Sequence, residues 1–176
     1  MKMTFAEAVK SGFKNYSNFK GTATRTEFWY FYLFNVLLNI VLSTLDSLVA
    51  PVADGASMMS TAGPLYTIAN IALVVPNLSL AFRRFHDSGF SAKWLLLWVL
   101  PAITFFVTGG FVLASGAKLS VNSTNDEVLA AFSAFIPTLL VALAVGIFQL
   151  VIYLRRTKTS AEGNKYAPSV SDETSA

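Results

Sequence analysis

The chain has 176 residues, 54% of them hydrophobic and 13% charged, with a net charge of +3. That length suits one domain, but about half the usual charge is too little to cover a soluble surface, so the class is a membrane protein. With no cysteine, disulfides, thiolate nucleophiles and cysteine-ligated metals are excluded.

Residues 4–19 predict an amphipathic helix. Thr4 and Glu7 have capping-box spacing. Phe5, Val9, Phe13 and Tyr16 then share one face, while Lys10 and Lys14 point elsewhere. Such a helix either lies in the headgroup plane or packs across the cytoplasmic ends of the bundle.

The first span is expected over residues 28–50. It opens with a second Thr-x-x-Glu box, Thr24 and Glu27, beside Arg25, and with the aromatic run Phe28, Trp29, Tyr30, Phe31 and Tyr32. Trp and Tyr favour the membrane–water boundary. The apolar run is too long for a signal-peptide core and reads as an uncleaved span. Asn35, Asn39 and Asp46 share a face of it. Polar groups within hydrocarbon must face protein, so this stripe is an interhelical seam or, in the alternative, a transport path.

Residues 51–64 are rich in Pro, Gly, Ser and Ala and form a loop. The second span covers 65–82, where Pro76 should kink the helix and free the carbonyl of Ala72. Asn70, Asn77 and Arg84 lie seven apart, an amide stripe leading to the turn RRFHDSGFSAKW at 83–94, which holds the only histidine. A third span over 94–114 carries Pro101. Residues 115–127 form a polar loop with a third capping signal, Thr124 and Glu127. The fourth span, 128–154, contains Pro137 and a small-residue ridge of Thr138, Ala142 and Gly146, continued by Gln149. The fold is therefore an all-α polytopic membrane helical bundle, with four transmembrane helices and an N-terminal amphipathic interfacial helix. Residues 1–168 make a single membrane domain, and 169–176 a flexible polar tail.

Four spans place Lys2, Lys10, Lys14, Lys20, Arg25, Arg83, Arg84, Lys93, Arg155, Arg156, Lys158 and Lys165 on one side, and Lys118 alone on the other. The positive-inside rule then puts both termini and the central turn in the cytoplasm.

Three groups of residues resemble a known family. They are Arg25, Glu27, Phe28 and Trp29; the Arg83-Arg84-x-His86-Asp87-x-Gly89 turn with Trp94; and Gly163-Asn164-Lys165-Tyr166 followed by Pro168. Over roughly residues 5–168 the chain resembles the bacterial inner-membrane family catalogued as domain of unknown function 805. The resemblance implies a small multi-span inner-membrane protein and carries over no activity.

The motifs share the cytoplasmic side, where Glu27 or Asp87 is expected to pair with Arg83 or Arg84 and hold the hairpin together. His86 beside Asp87 is the residue pair of a general base or a metal site. There is no second histidine or cysteine, and no nucleophile or phosphate-loop motif accompanies it. The reading is therefore non-catalytic and without a cofactor. It is a scaffold or accessory protein whose basic face contacts membrane lipids, with Arg83, Arg84, Lys93, Arg155 and Arg156 as candidates to line an anionic headgroup pocket. A membrane-protein partner or a second copy would be a further contact; nucleic acid is not expected. The alternative is a small-solute or ion transporter using Asn35, Asn39, Asp46, Asn70, Asn77 and Gln149.

Overall fold

The computed structural model describes residues 3–49, 63–114 and 124–167. Most of the expected 51–64 loop, Lys118 in the second polar loop and the 169–176 tail lie outside them. Secondary structure among the described residues is helical throughout: α1 (Phe5–Lys14), α2 (Arg25–Val49), α3 (Pro64–Asp87), α4 (Val99–Ala114), α5 (Asn125–Ser133) and α6 (Ile136–Leu154), with 3₁₀ turns at Ala92–Trp98 and Ser160–Glu162. Among the described residues, four helical stretches are long and apolar enough to cross a membrane: Arg25–Leu48, Pro64–Asp87, Ala92–Ala114 and Asn125–Leu154. The chain divides into two compact units, Met1–Ser91 with Arg155–Ala176, and Ala92–Leu154.

In the first unit, α1 begins with its capping box formed. Thr4 Oγ1 accepts the Glu7 N–H at 3.3 Å, and the Glu7 carboxylate accepts the Thr4 N–H at 2.7 Å. The helix packs on α2 and α3, but along a stripe one position away from the aromatic face read in the sequence. Ala8 and Gly12 are the buried residues, while Phe5, Phe13 and Tyr16 flank them and stay partly exposed. Small side chains let the two backbones approach, and a Cβ at Gly12 would overlap the ring of Phe31. Phe13 sits edge-on to Phe31 and Phe34 at 5.6 and 5.7 Å.

The α2–α3 hairpin is sewn by its amides. Asn70 Nδ2 donates to Asn39 Oδ1 at 2.6 Å, and Asn77 Nδ2 to Asn35 Oδ1 at 3.1 Å. Asn35 and Asn39 also return Nδ2 to the carbonyls of Phe31 and Asn35. At the far end, buried Asp46 caps α3 across the hairpin, accepting the N–H groups of Leu65 (3.1 Å) and Tyr66 (2.8 Å). A carboxylate at a helix N-terminus meets orphan donors and the positive end of the dipole. Gly63 makes room, since a Cβ there would strike the Asp46 side chain. Helix α3 continues through Pro76. The Ala72 carbonyl that Pro76 cannot serve accepts the Tyr16 hydroxyl at 2.6 Å.

In the second unit, proline shapes both spans. Pro101 has no N–H for the Leu97 carbonyl, and the third span starts as a 3₁₀ turn through Trp98 rather than as an α-helix from residue 94. Pro137 likewise leaves Ser133 unserved, and the expected single helix over 128–154 is broken into α5 and α6 at Ala134–Phe135. Helices α4 and α6 pack together. Buried Thr138, Val145, Gln149 and Ile152 line one side of α6. Trp98 Nε1 donates to Gln149 Oε1 at 2.8 Å, and Thr108 Oγ1 lies 3.5 Å from Thr138 Oγ1. Phe106, Phe111 and Leu113 are 76%, 71% and 79% exposed, a surface made for lipid and not for water.

Candidate functional site: a cap built from the sequence motifs

The motifs meet in the first unit, at the C-terminal end of α3. That helix ends in a Schellman motif. Phe90 N–H bonds to the Phe85 carbonyl (2.9 Å) and Gly89 N–H to that of His86 (3.0 Å), with Gly89 at φ +81°. Glycine is required at that left-handed position, which accounts for the Asp-x-Gly of the turn.

Two buried ion pairs radiate from adjacent arginines. Arg83 Nη1 donates to Glu27 Oε1 at 2.9 Å, and the Ser11 hydroxyl donates to the same oxygen at 2.9 Å. One carboxylate thus joins α1, α2 and α3. Arg84, fully buried, points the other way. Its Nη1 binds the Asp87 carboxylate and its Nη2 the Arg155 carbonyl. Of the four pairings that the sequence allowed, the hairpin lock is Glu27–Arg83, while Asp87–Arg84 is local and faces the returning tail. The Arg83 Nε and Nη2 atoms are buried without a hydrogen-bond partner among the described residues.

The tail closes the cap. Thr157 Oγ1 donates to the Asp87 carboxylate at 2.8 Å, and Lys158 N–H to the Asp87 carbonyl at 2.9 Å. Asn164 Nδ2 reaches the carbonyls of His86 (2.9 Å), Lys158 (3.0 Å) and Asp87 (3.3 Å), and its Oδ1 accepts the Tyr166 N–H at 3.0 Å. Tyr166 stacks on His86, with ring centroids 4.0 Å apart and planes at 14°. Gly163, at φ +81°, turns the chain between them. On the α1 side, His86 Nδ1 lies 3.3 Å from the Gly21 carbonyl, and Ala23 N–H bonds to that of Arg83 at 3.1 Å.

Outside the cap's interior, Arg156 pairs with Glu162 at 2.6 Å, and Arg155 lies over the Phe90 ring at 5.1 Å. The Thr159 backbone N–H, bound to the Glu162 carboxylate at 3.0 Å, holds that carboxyl below its ordinary range, and Arg156 lowers it further.

Of the motif residues, Glu27, Arg83, Arg84, His86, Asp87, Gly89, Asn164 and Tyr166 converge here. Arg25 is the first residue of α2 and is exposed, while Trp29 packs on Phe28 and Tyr32. Trp94 belongs to the second unit, tilted against Phe148. Gln149 also belongs to that unit, where it accepts from Trp98. Arg83 and Arg84 are 3% and 0% exposed, which removes both from the expected headgroup pocket. Ser11, Thr157 and the Gly21 and Ala23 backbone join the cap without having been singled out in the sequence. Thr159 and Glu162 repeat the Thr-x-x-Glu spacing that marks α1 and α5, and that signal would have found the tail turn. Among the described residues no three His, Asp or Glu gather into a metal ligand set.

Four membrane-length helices and a charged cap knitted from distant motifs define a polytopic helical membrane protein. Residues 16–168 match the family described as "Protein of unknown function (DUF805)", and the chain belongs to that family. Inner membrane protein YhaH of Escherichia coli (strain K12) is 37% identical to it over 94 residues, 53% of this chain and 74% of the relative. Inner membrane protein YhaI of the same strain is 33% identical over 113 residues, 64% of this chain and 88% of the relative. No solved structure matches.

Proposed function

We propose that this protein is a non-catalytic scaffold or accessory subunit of the bacterial inner membrane, with both termini and the cap in the cytoplasm. The observation that carries this reading is that the motif carboxylates and arginines are engaged with one another and with backbone, joining α1, α2, α3 and the tail into a fixed surface. A general base needs a lone pair aimed at substrate. Here Glu27 and Asp87 each face an arginine, and His86 is stacked under Tyr166. The positive-inside count supports the orientation. The amide stripe supports the same reading over transport, because Asn35, Asn39, Asn70 and Asn77 are paired across the hairpin and Asp46 caps a helix.

The test is native mass spectrometry of the gently solubilised chain beside an Arg156→Gln/Lys165→Gln variant, whose changes lie on exposed parts of the cap. The expected result is a protein or anionic-lipid companion retained by the wild type and depleted in the variant. An identical set of bound species in both would overturn the assignment of the cap as the contact surface.

A further inference from the structure

Helix α1 carries a hollow of about 340 Å³ on its polar side, lined by Glu7, Lys10, Ser11, Lys14 and Asn15. Lys10 and Lys14 are four residues apart, exposed, and without an ion-pair partner among the described residues. Glu7 is turned back to the Thr4 N–H, Ser11 donates to Glu27, and Asn15 donates to Ser11. The two ammonium groups are therefore the free donors of the hollow.

Depth decides what can answer them. The Asn15 carbonyl accepts from Ser79 Oγ, and Tyr16 reaches the Ala72 carbonyl. Ser79 and Ala72 lie eight and fifteen residues before Asp87, about 12 and 22 Å of helix rise. A headgroup layer is only about 5–7 Å thick on each side of the hydrocarbon. The C-terminal end of α1 therefore sits inward of the cap by more than that layer, against the flank of a membrane-crossing helix. Lys14, one residue before Asn15, is exposed beside the flank of that membrane-crossing helix, from where its long side chain can extend back to the headgroup layer. Phe5, Phe13, Tyr16 and Phe19 keep partly exposed rings along the same N-terminal segment, as an interfacial helix presents to acyl chains. Long lysine side chains there turn their charge toward the headgroups.

We propose that Lys10 and Lys14 on α1 form a binding site for the phosphate of an anionic phospholipid headgroup in the leaflet next to the cap. This deepens the scaffold reading and rests on its lipid-contacting face, but it moves the contact from the double-arginine turn to α1.

The full chain is reconstituted in nanodiscs of phosphatidylcholine with and without phosphatidylglycerol, and the lipids retained after release are quantified. Each basic residue at an anionic surface contributes about fivefold in affinity, so Lys10→Gln/Lys14→Gln should lower phosphatidylglycerol retention about thirtyfold. Lys10→Arg/Lys14→Arg should keep it, and thermal melting should be unchanged in both variants because neither lysine is buried or paired. Retention by the Gln variant, or no phosphatidylglycerol preference in the wild type, overturns the site. Displacement by excess inorganic phosphate overturns the lipid as its source. Should Arg156→Gln/Lys165→Gln deplete a companion while Lys10→Gln/Lys14→Gln leaves lipid retention intact, this site fails and the scaffold reading stands. Should neither variant change anything, both fail.

Discussion

Replacing Glu27 with Gln tests whether the α2–α3 hairpin is held by one buried charge pair. Glu27 is 5% exposed and Arg83 3%, so little water can compensate a guanidinium that loses its counter-charge. Breaking a buried pair by removing one partner costs about 3–5 kcal/mol. Two features put the expected value at the lower end. Gln keeps an oxygen able to accept from Arg83 Nη1 and Ser11. The wild type already carries part of the desolvation cost, because Arg83 Nε and Nη2 lack partners. We expect a loss of about 3 kcal/mol, about a hundredfold in the folded-to-unfolded ratio. The assay is reversible unfolding in mixed micelles, by detergent titration or steric trapping, run as a double-mutant cycle. Arg83→Met alone should cost a similar amount, since it leaves the carboxylate buried with only Ser11. Glu27→Gln/Arg83→Met, with neither charge of this pair left, should return to within about 1 kcal/mol of the wild type. Additive costs, or a single-variant loss under about 1 kcal/mol, would refute the view that this pair joins the helices.

Three further outcomes are expected. Tyr16→Phe should cost about 1 kcal/mol by removing the donor to the Ala72 carbonyl, and much less in a Pro76→Ala background, where residue 76 regains an N–H for that carbonyl; equal losses in both backgrounds in the same unfolding assay would contradict this account. Asn164→Ala strips three carbonyls of a donor and should release the tail, read as hydrogen exchange at least tenfold faster over 156–167 with the α2 amides unchanged. Acid should loosen the Thr159–Glu162 turn: a carboxyl whose folded pKa is depressed stabilises its turn above the ordinary carboxylate range, and that contribution is lost as pH falls through the depressed value. Protection of the Thr159 amide from exchange, corrected for the intrinsic base-catalysed rate, should fall on acidification through that range, and Glu162→Gln should abolish this fall.

The spans were legible because a run of apolar residues near bilayer thickness has few other uses. The need for Asn35 and Asn39 to face protein was legible too, since unpaired amides are costly in hydrocarbon, but that Asn77 and Asn70 answer them across the hairpin was not. Which arginine takes Glu27 was not, because the rotation of α3 relative to α2 depends on packing that no local pattern encodes. The buried stripe of α1 was missed for a similar reason. Hydrophobicity favours Phe5 and Phe13 as the contact face, whereas closest approach selects Ala8 and Gly12. Proline marked the irregular points of the third and fourth spans, yet its position alone did not separate the kink expected at Pro76 from the break at Pro137. In α3 a hydroxyl from outside the helix serves the freed carbonyl; in the fourth span the chain departs from α-helix for two residues. Asn164 and Tyr166 stood out only through family resemblance. Their role depends on His86 and Asp87, nearly eighty positions earlier in the chain.

That separation has a consequence for biogenesis. The His86 and Asp87 carbonyls that Asn164 binds and the carboxylate that Thr157 binds are synthesised two helical spans before their partners. A nascent chain therefore waits with this joint unmade until its last span has left the insertion machinery. A product truncated before Thr157 would leave the Asp87 carboxylate and the His86 and Asp87 carbonyls without these donors at the end of α3.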